Sequence, residues 1–396
     1  MGIGESLMKD TVFIQLYSKI ENLGWIEFSN GFSDTHDFCK NKGDLIWLKH
    51  QRTNHAIDYT EIFQKVEFVI DKGTAYVSAS YMSHLYQIYI WALRYPEVKF
   101  IVGGPVVLSN CFELDSKLPD NMELINSSVE DYFSIPNFSY PWNIEIPSEI
   151  PDESVITYSY TMDNKCYWKK CKFCTLNTFD DTICYRSRQK LDFEFKDLKH
   201  NHMTSIRIGA DSLKPSYINK VVNTLPTFKQ LHEYRMFIRC SKKELKVIKS
   251  ISDFDKMRFT IGIEFPSKKM WKYMDKGYTH EVSRDIIKHL LNNGADVNIN
   301  IILGWNNLTI KDLREMEQFM TSIGPSPKIT VVLYKLFIFP QSELSKHYEM
   351  EKELKIGPFR LGFYPKLSEE QKKLDKRAAK FLNKCGAKLV RKGKYD

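Results

Sequence analysis

The sequence has no long apolar run. None of its hydrophobic stretches approaches the about 18 residues that a membrane-spanning helix requires. Its first residues do not combine a basic segment with an apolar one, so we expect no secretory signal. No glycine-rich phosphate loop and no Ser–His–Asp arrangement stands out, which leaves two common enzyme signatures without support.

Cysteine is also scarce, and it is unevenly distributed. Eight cysteines among 396 residues are too sparse for a disulfide scaffold, which indicates a reducing compartment. Five of them are scattered: Cys39, Cys111, Cys184, Cys240 and Cys385. The other three lie within one short stretch and predict a single metal site in a cytoplasmic protein.

The sequence is rich in apolar residues and carries a net positive charge. Hydrophobic residues make up 43% of the sequence, which excludes global disorder, and the length allows two domains. The net charge is +8, and residues 366–396 contribute +7 through eleven Lys or Arg and four acidic residues. This basic tail has two interpretations, a solvated terminal helix or a surface for an acidic partner.

Short apolar runs dominate the first 135 residues. The runs are Val12–Tyr17, Leu45–Leu48, Ala75–Ser80, Val98–Val102 and Met122–Ile125. They favour buried parallel strands, and the helical pattern Leu85–Leu93 predicts a strand–helix–strand unit. We therefore predict a small Rossmann-like parallel-sheet domain over residues 1–135. Gly103 and Gly104, at the end of its fourth strand, predict either close approach of a ligand or a tight turn.

Residues 136–153 contain four prolines, which disfavour helix and central strand and predict a linker. Six candidate strands follow: Ser154–Thr161, Ser205–Ile208, Arg235–Ile238, Arg258–Ile263, Asp296–Leu303 and Ile329–Leu336. Helical patterns follow the first five, so residues 154–345 are predicted to form an α/β partial (β/α)6 barrel of the TIM type. Residues 346–396 are predicted as a basic helical extension, with a helix over Ser368–Lys384.

The clustered cysteines form the motif Cys166-x4-Cys171-x2-Cys174, directly after the first strand of the predicted barrel. Three thiolates on one metal centre leave a position for a ligand that is not protein. A structural zinc site needs a fourth ligand, and none is evident nearby. A [4Fe–4S] cluster with one open iron fits three cysteines. The residues alone support zinc and iron–sulfur equally, with chance clustering as a third interpretation.

Five short motifs occur in a fixed order through the predicted barrel. They are the cysteine motif with Phe173 before its last cysteine, Cys184–Ser187, Arg207–Ser212, Ile261–Ser267 with Met274–Thr279, and Ile301–Thr309. Together they resemble the radical S-adenosylmethionine (SAM) superfamily, in particular the subset with an N-terminal cobalamin-binding-type domain. Each motif alone is weak, whereas five in the family's order are specific. The family's usual spacing is C-x3-C-x2-C, so this loop is one residue longer.

The resemblance implies a reaction and a set of contacts. A [4Fe–4S] cluster on Cys166, Cys171 and Cys174 would chelate SAM and cleave it after one-electron reduction, giving a 5′-deoxyadenosyl radical. The implied SAM contacts are Phe173, Gly209, Ala210, Asp211, Ser212, Arg239, Glu264 and Gly304. For Arg239 two roles stay open, a partner for the cofactor carboxylate or a salt bridge with Glu264. Flavodoxin or ferredoxin would supply the electron.

The N-terminal half resembles a cobalamin-binding domain over residues 70–135. This likeness implies cobalamin as a further cofactor, although a domain that only caps the barrel is an equal alternative. Asp34-Thr-His36 resembles part of the family's cobalt-ligating pattern without its final glycine. A surface histidine in a polar loop is the simpler interpretation of His36.

Three functions follow from these patterns. The first is cobalamin-dependent C-methylation, or a related modification, of a peptide or natural product. The second is cobalamin-independent radical crosslinking, epimerisation or rearrangement. The third is a zinc-stabilised nucleic-acid-binding protein that uses the basic tail. The motifs around Glu264 and Lys276 have no role in the third, so we expect a peptide or small-molecule substrate and no nucleic-acid or membrane partner.

Overall fold

The structure is a computed structural model, and it describes residues 11–20, 25–28, 44–51, 70–79, 82–108, 111–126, 132, 155–160, 166–175, 203–208, 212, 214–216, 218, 222, 231–385 and 388–392. The first part of the described chain forms β1 (Thr11–Ile20), β2 (Trp25–Phe28), β3 (Asp44–Gln51), β4 (Gly73–Ser78), α1 (Met82–Arg94), β5 (Val98–Gly103), α2 (Pro105–Leu108), β6 (Glu113–Leu114) and β7 (Met122–Leu124). All five predicted strands and the predicted helix of this part are confirmed. Strands β2 and β6 escape prediction because both are very short.

The second part alternates strands with helices over most of its length. Its elements are β8 (Val155–Tyr160), β9 (Met203–Ile208), β10 (Leu231–Ile238), α3 (Lys242–Ile248), β11 (Met257–Glu264), α4 (Lys268–Tyr273), α5 (His280–Asn292), β12 (Asp296–Leu303), α6 (Ile310–Ile323), β13 (Ile329–Lys335), a 3-10 turn (Glu343–Lys346), β14 (Met350–Ile356), β15 (Phe359–Pro365), α7 (Glu369–Leu382) and β16 (Lys388–Lys392). The six strands predicted from residue 154 onward are confirmed as β8 to β13.

One sheet joins the two parts, in the order β16-β13-β12-β11-β10-β9-β8-β2-β1-β4-β5-β7, with β3 also paired to β1. Every neighbouring pair from β8 to β13 is parallel. Strands β1, β4, β5 and β7 are parallel to one another as well. The parts meet where β2 pairs in parallel with β8, through Trp25 and Val155. The fold is thus mixed α/β with a predominantly parallel sheet.

Side-chain caps fix where the helices of the second part begin. Ser241, Ser267, Thr279 and Thr309 each accept a backbone N–H at the start of α3, α4, α5 and α6. At α6 the cap is a reciprocal box between Thr309 and Asp312. Because helices return the chain between parallel strands, the carboxyl ends of the strands lie along one edge.

The segment predicted as a helical extension contains more than a helix. Helix α7 lies within the expected Ser368–Lys384 range, but β14 and β15 form an antiparallel pair before it, and β16 pairs in parallel with β13 after it. Strand β14 reads Met-Glu-Lys-Glu-Leu-Lys-Ile, so its charged residues conceal its strand character. The basic tail is therefore partly built into the sheet.

Two apolar cores lie under this sheet. One is formed by α1, β1, β4 and β5 and also takes in Ile356, Phe359 and Leu361 of the β14–β15 pair. The other is formed by β9 to β13 with α3 to α7. No helix in the described ranges has both the length and the apolar character to cross a membrane. The predicted linker 136–153 lies outside the described residues.

Candidate functional site

The cysteine loop, residues 166–175, lies against the chain that follows β11. The Lys172 N–H donates to the Met274 carbonyl over 3.2 Å, and the Leu344 N–H donates to the Lys172 carbonyl over 3.3 Å. Inside the longer first gap of the motif, Lys169 has φ 51°, a left-handed conformation that is uncommon for a residue with a side chain. The extra residue of the loop therefore coincides with a local reversal of the backbone.

The three cysteines of the loop differ in burial. Cys171 is buried, whereas Cys166 and Cys174 are partly exposed. Within the part of the chain that the structure describes, no three His, Cys, Asp or Glu side chains come together as a group that could hold a metal ion. Metal binding by these cysteines therefore stays a prediction.

Three buried charged side chains lie around Cys171. Arg239 follows β10, Glu264 ends β11 and Lys276 follows α4, and their exposed fractions are 3%, 8% and 5%. Lys276 Nζ lies 3.1 Å from Glu264 Oε1, and Arg239 Nη1 lies 3.9 Å from Cys171 Sγ. Buried charges require compensation, and here two cations face one carboxylate. A Cys171 thiolate, the form that binds metal, would supply the missing negative charge.

The position of Glu264 depends on a bulge and a glycine. The register between β11 and β12 shifts between Gly262 and Glu264, and Glu264 has φ 63°. Such a conformation at a residue with a side chain costs about 1–3 kcal/mol and persists only where its surroundings enforce it. The Glu264 carboxylate folds back over Gly262, where a Cβ would overlap Oε1. Glycine at 262 is thus required for Glu264 to reach Lys276.

Arg239 is held between two aromatic rings. Its guanidinium carbon lies 4.3 Å from the Trp168 ring centroid and 4.9 Å from that of Tyr278. It also donates from Nη2 to the Lys276 carbonyl, while its buried Nε has no hydrogen-bond partner among the described residues. The alternative sequence interpretation, a salt bridge between Arg239 and Glu264, is wrong, because Glu264 pairs with Lys276 instead.

Trp168 is fixed on its other side as well. Its indole Nε1 donates to the Asp275 carbonyl over 2.6 Å. Its ring lies directly on Gly277, where a Cβ would come within 2.6 Å of the ring atom Cη2. Gly277 therefore serves two needs at once, a φ of 67° and room for the indole.

Burial dominates the electrostatics of this site. It raises the pKa of the Cys171 thiol, and the opposing effects of Lys276 and Arg239 only reduce that rise. It also raises the pKa of the Tyr278 hydroxyl. Burial alone would lower the pKa of Lys276, but the negative charges that Tyr278, Glu264 and Cys171 can carry outweigh it, so that pKa is raised. The ammonium form of Lys276 is therefore favoured.

Phe173 and Gly304 lie on the apolar side of the same region. The Phe173 ring meets the buried Trp305 ring edge-on, with centroids 6.0 Å apart, and Lys276 Nζ lies 5.7 Å from the Phe173 centroid. Gly304 has φ 103°, and a Cβ there would come within 3.2 Å of Leu336 Cβ. The requirement for glycine at 304 is therefore explained by the packing of the protein itself.

Helix α7 brings an acidic residue to the end of β12. Asp375 accepts a hydrogen bond from the Gly304 backbone, and burial raises its pKa to about 7 against the effects of that bond and of Lys335. Its Oδ1 is buried and has no hydrogen-bond partner in the described part of the chain. Sequence reasoning placed α7 but gave no reason to expect Asp375 near this edge.

The cysteine loop is also attached to α3. The Tyr167 hydroxyl donates to the fully buried Glu244 carboxylate, which Ser241 contacts as well. Burial raises the pKa of Glu244 to about 7, although hydrogen bonds from its own backbone and that of Ser241 oppose the rise. A glutamate in a short amphipathic helix carries no sequence signal for such a role.

The glycine pair of the N-terminal part is used for internal packing. Gly104 has φ 99°, and a Cβ there would lie 2.8 Å from the Ala79 backbone and 2.9 Å from Ser78 Oγ. The Val106 N–H donates to the Ala79 carbonyl over 3.1 Å. These contacts match the tight-turn interpretation of Gly103 and Gly104.

Several predicted site residues lie outside the residues that the structure describes. Gly209, Ala210 and Asp211 lie outside the described residues, as do Cys184–Ser187 and His36. Ser212 is described and is half-buried. The structure thus brings together Phe173, Arg239 and Glu264 near Cys171, with Gly304 behind Trp305, and leaves the other predicted SAM contacts as predictions.

Trp168 and Tyr278 are the functional candidates that sequence reasoning missed. Both lie inside quoted motifs, one between the first two cysteines and the other directly after Lys276-Gly277. The sequence signal for them was the presence of an aromatic residue inside each motif, with Tyr278 directly after Gly277. Their contact could not be foreseen, because 107 residues separate Trp168 from Asp275.

Comparison with known proteins identifies structures of similar fold and does not establish an activity. No protein-family model matches the sequence, and no curated protein sequence matches it. Among solved structures, the chain is similar to the radical SAM methyltransferase TsrM from Kitasatospora setae, with cobalamin and a [4Fe–4S] cluster bound. The TM-score is 0.51 and the identity 11%, over 85% of this chain and 77% of that one.

A second TsrM structure, with tryptophan substrate and the SAM analogue aza-SAM bound, gives a TM-score of 0.52 and 9% identity over 85% of this chain and 75% of that one. The cobalamin-dependent SAM radical enzyme OxsB also matches, with a TM-score of 0.47 and 13% identity. That match covers 78% of this chain and 51% of OxsB, so the chain spans about half of that protein. Over most of its length the chain is thus similar in fold to the radical SAM methyltransferase TsrM, in agreement with the resemblance seen in the motifs.

Proposed function

We propose that the protein is a radical SAM enzyme whose [4Fe–4S] cluster is held by Cys166, Cys171 and Cys174. The observation that carries this proposal is the position of Cys171, buried beside Arg239 and Lys276. Three soft thiolate donors and an excess of buried positive charge suit an iron–sulfur cluster with one open iron. In this proposal β8 to β13 are the partial barrel, and the cysteine loop lies at its catalytic edge.

When bound, such a cluster with SAM supplies one-electron cleavage of the cofactor's carbon–sulfur bond and thus a 5′-deoxyadenosyl radical. The residues of the chain bind and orient the cofactors, and they exclude water from the site. Glu264 holds the Lys276 ammonium, and Lys276 and Arg239 stabilise negative charge on Cys171. The unpartnered Nε of Arg239 is a donor for the cofactor carboxylate. Phe173, backed by Trp305, forms an apolar wall that keeps water from the reacting atoms.

Anaerobic reconstitution of the full chain tests this proposal. We expect iron and acid-labile sulfide in the wild-type protein, and 5′-deoxyadenosine after reduction in the presence of SAM. Cys171→Ala removes both. Cys111→Ala, which changes a scattered cysteine of the N-terminal part, leaves both unchanged. Zinc at about one per chain without iron and sulfide, together with salt-sensitive nucleic-acid binding, would instead favour the zinc-stabilised alternative.

We further propose cobalamin as the second cofactor, bound by the Rossmann-like part of residues 1–135, and C-methylation of a peptide or small molecule as the reaction. The support is the likeness in fold to TsrM, whose solved structure contains cobalamin. Cobalamin would supply a carrier for the methyl group. A cobalamin absorption spectrum after reconstitution and a methyl-sized mass increase in the product are the expected results.

The cobalamin-independent alternative rests on a specific observation. Gly104, at the end of β5, packs on the Ala79 backbone, so its missing side chain is not needed for a ligand. In that case the N-terminal part caps the barrel, and the product loses hydrogen or rearranges without gaining a methyl group. Product mass separates the two, because crosslinking lowers the mass and methylation raises it. A flavodoxin or ferredoxin serves as reductant in either case.

A further inference from the structure

We propose that Trp168 and Tyr278 hold Arg239 as an N–H donor to the Cys171 thiolate, and that this contact raises the reduction potential of the cluster. The inference rests on the proposed function, since it concerns the cluster that the cysteine loop would carry. It assigns Arg239 a role at the cluster and makes Trp168 a positioning residue that acts through it. The longer first gap of the cysteine motif then has a use, because it contains this tryptophan.

The first step of the argument is that Arg239 cannot move away from Cys171 without losing several contacts. Its guanidinium carbon lies 4.3 Å from the Trp168 ring centroid and 4.9 Å from that of Tyr278. Nη2 donates to the Lys276 carbonyl, which leaves Nη1 3.9 Å from Cys171 Sγ. A guanidinium stacked on aromatic faces and bonded to a carbonyl is pre-organised, since its planar donors point in fixed directions.

The second step concerns the effect on a cluster. Reduction adds one negative charge, and hydrogen bonds to the ligating sulfurs favour the reduced state. Arg239 has an exposed fraction of 3%, so solvent screens its charge little. Lys276, the other buried cation, is already paired with Glu264. Arg239, whose Nη1 lies 3.9 Å from Cys171 Sγ, is in no salt bridge with a carboxylate among the described residues.

The third step is the role of Trp168. Its indole lies between Arg239 and Gly277, and the bond from Nε1 to the Asp275 carbonyl fixes its orientation. Lys169, the next residue, has the left-handed backbone. The segment between Cys166 and Cys171 thus packs over the Arg239 guanidinium through Trp168. Removal of the indole would allow the Arg239 guanidinium to move away from the Cys171 thiolate, although Arg239 and Cys171 are both still present.

The test is an EPR-monitored redox titration of the anaerobically reconstituted full chain. We expect Arg239→Gln to lower the equilibrium constant for cluster reduction about tenfold, equivalent to about 59 mV for one electron. Trp168→Ala should shift the potential in the same direction by a smaller amount. Arg239→Lys, which keeps the charge but not the stacked fork, should fall between the wild type and Arg239→Gln.

The matched control is Lys172→Ala, which removes a partly exposed positive charge, paired with Glu343 over 2.9 Å, from the same loop. A shift in Lys172→Ala as large as that in Arg239→Gln would overturn the inference, because the effect would then be one of general charge. An unchanged potential in Arg239→Gln or in Trp168→Ala would overturn it as well. If Arg239→Gln assembles no cluster, Arg239→Lys and Trp168→Ala decide the matter.

A parallel measurement of SAM binding to the same variants separates this inference from the proposed function. Weaker SAM binding by Arg239→Gln at an unchanged potential would assign Arg239 to the cofactor carboxylate and overturn the cluster role, leaving the radical SAM proposal intact. Failure of the wild-type chain to take up iron and sulfide would overturn the proposed function, and the inference with it.

Discussion

At the scale of single residues, the buried pair of Lys276 and Glu264 makes a sharp prediction. Lys276→Met leaves the Glu264 carboxylate buried without its partner, and breaking a buried pair in this way costs about 3–5 kcal/mol of unfolding free energy. The double variant Glu264→Gln/Lys276→Met removes both charges, so its cost should be well below the sum of the two single costs. Urea denaturation of the full chain measures these values.

An exposed pair provides the control for that experiment. Lys99 and Glu123 lie 3.0 Å apart, with about half of each side chain exposed to solvent. Lys99→Met should therefore change the unfolding free energy by less than about 1 kcal/mol. Strict additivity of the Glu264 and Lys276 variants would show that the two side chains are not coupled in solution.

Glu244 predicts a pH dependence at the residue scale. Burial raises its pKa from the ordinary 4.5 to about 7, so the folded state binds the proton more tightly than the unfolded state. Its contribution is fully present below pH 4.5 and is lost as the pH rises to about 7, a decrease on the order of 3 kcal/mol. We expect this decrease in the wild-type protein relative to Glu244→Gln. Parallel stability–pH curves for the two proteins would contradict the assignment.

At the scale of elements, the β14–β15 pair packs on the N-terminal core with Phe359 as its aromatic residue, beside Ile356 and Leu361. Phe359 is fully buried, and its centroid lies 5.3 Å from that of Phe112 and 6.0 Å from that of Tyr89. Phe359→Ala should destabilise the protein by about 3–5 kcal/mol. Thermal or urea unfolding measures the loss.

The matched control lies on the neighbouring strand. Leu114 of β6 is the register partner of Phe359, yet it is 46% exposed. Leu114→Ala should therefore change stability by no more than about 0.5 kcal/mol. Equal losses in the two variants would mean that the β14–β15 pair does not pack on the N-terminal part in solution.

The elements also show why prediction succeeded where it did. Strands β1, β4 and β5 contain consecutive buried apolar residues, as burial on both faces of a parallel sheet requires, so their composition identifies them. Strand β14 faces solvent over much of its length, and its Lys and Glu residues conceal it. Strand β16 exists because β13 offers an edge to pair with, which is a property of the fold and not of residues Lys388–Lys392.

At the scale of the whole molecule, the continuous sheet predicts cooperative unfolding. Strand β2 pairs with β8, and β15 pairs with β6, so strand pairing connects the two parts within the described residues. We expect far-UV circular dichroism and tryptophan fluorescence to report one common transition in urea. Two separate midpoints would show that the parts unfold independently.

By itself, the sequence determined the class of fold and the positions of the motifs that contain the candidate site residues. Apolar runs and helical periods depend on neighbours in the chain, so β8 to β13 and the cysteine motif could be identified from local pattern. The order of the motifs then indicated the radical SAM fold, with Phe173, Arg239 and Glu264 among its site candidates.

Tertiary structure decided which charges meet. Arg239 was predicted either to bind a carboxylate or to pair with Glu264, yet Glu264 pairs with Lys276, and Arg239 lies between Trp168 and Tyr278. Arg239 and Cys171 are 68 residues apart in the sequence, whereas Glu264 and Lys276 are 12 apart. Their contact depends on the register of neighbouring strands and on a bulge at Gly262, which no local pattern specifies. Local motifs thus identify the candidate site residues, and the parallel sheet brings those residues into contact.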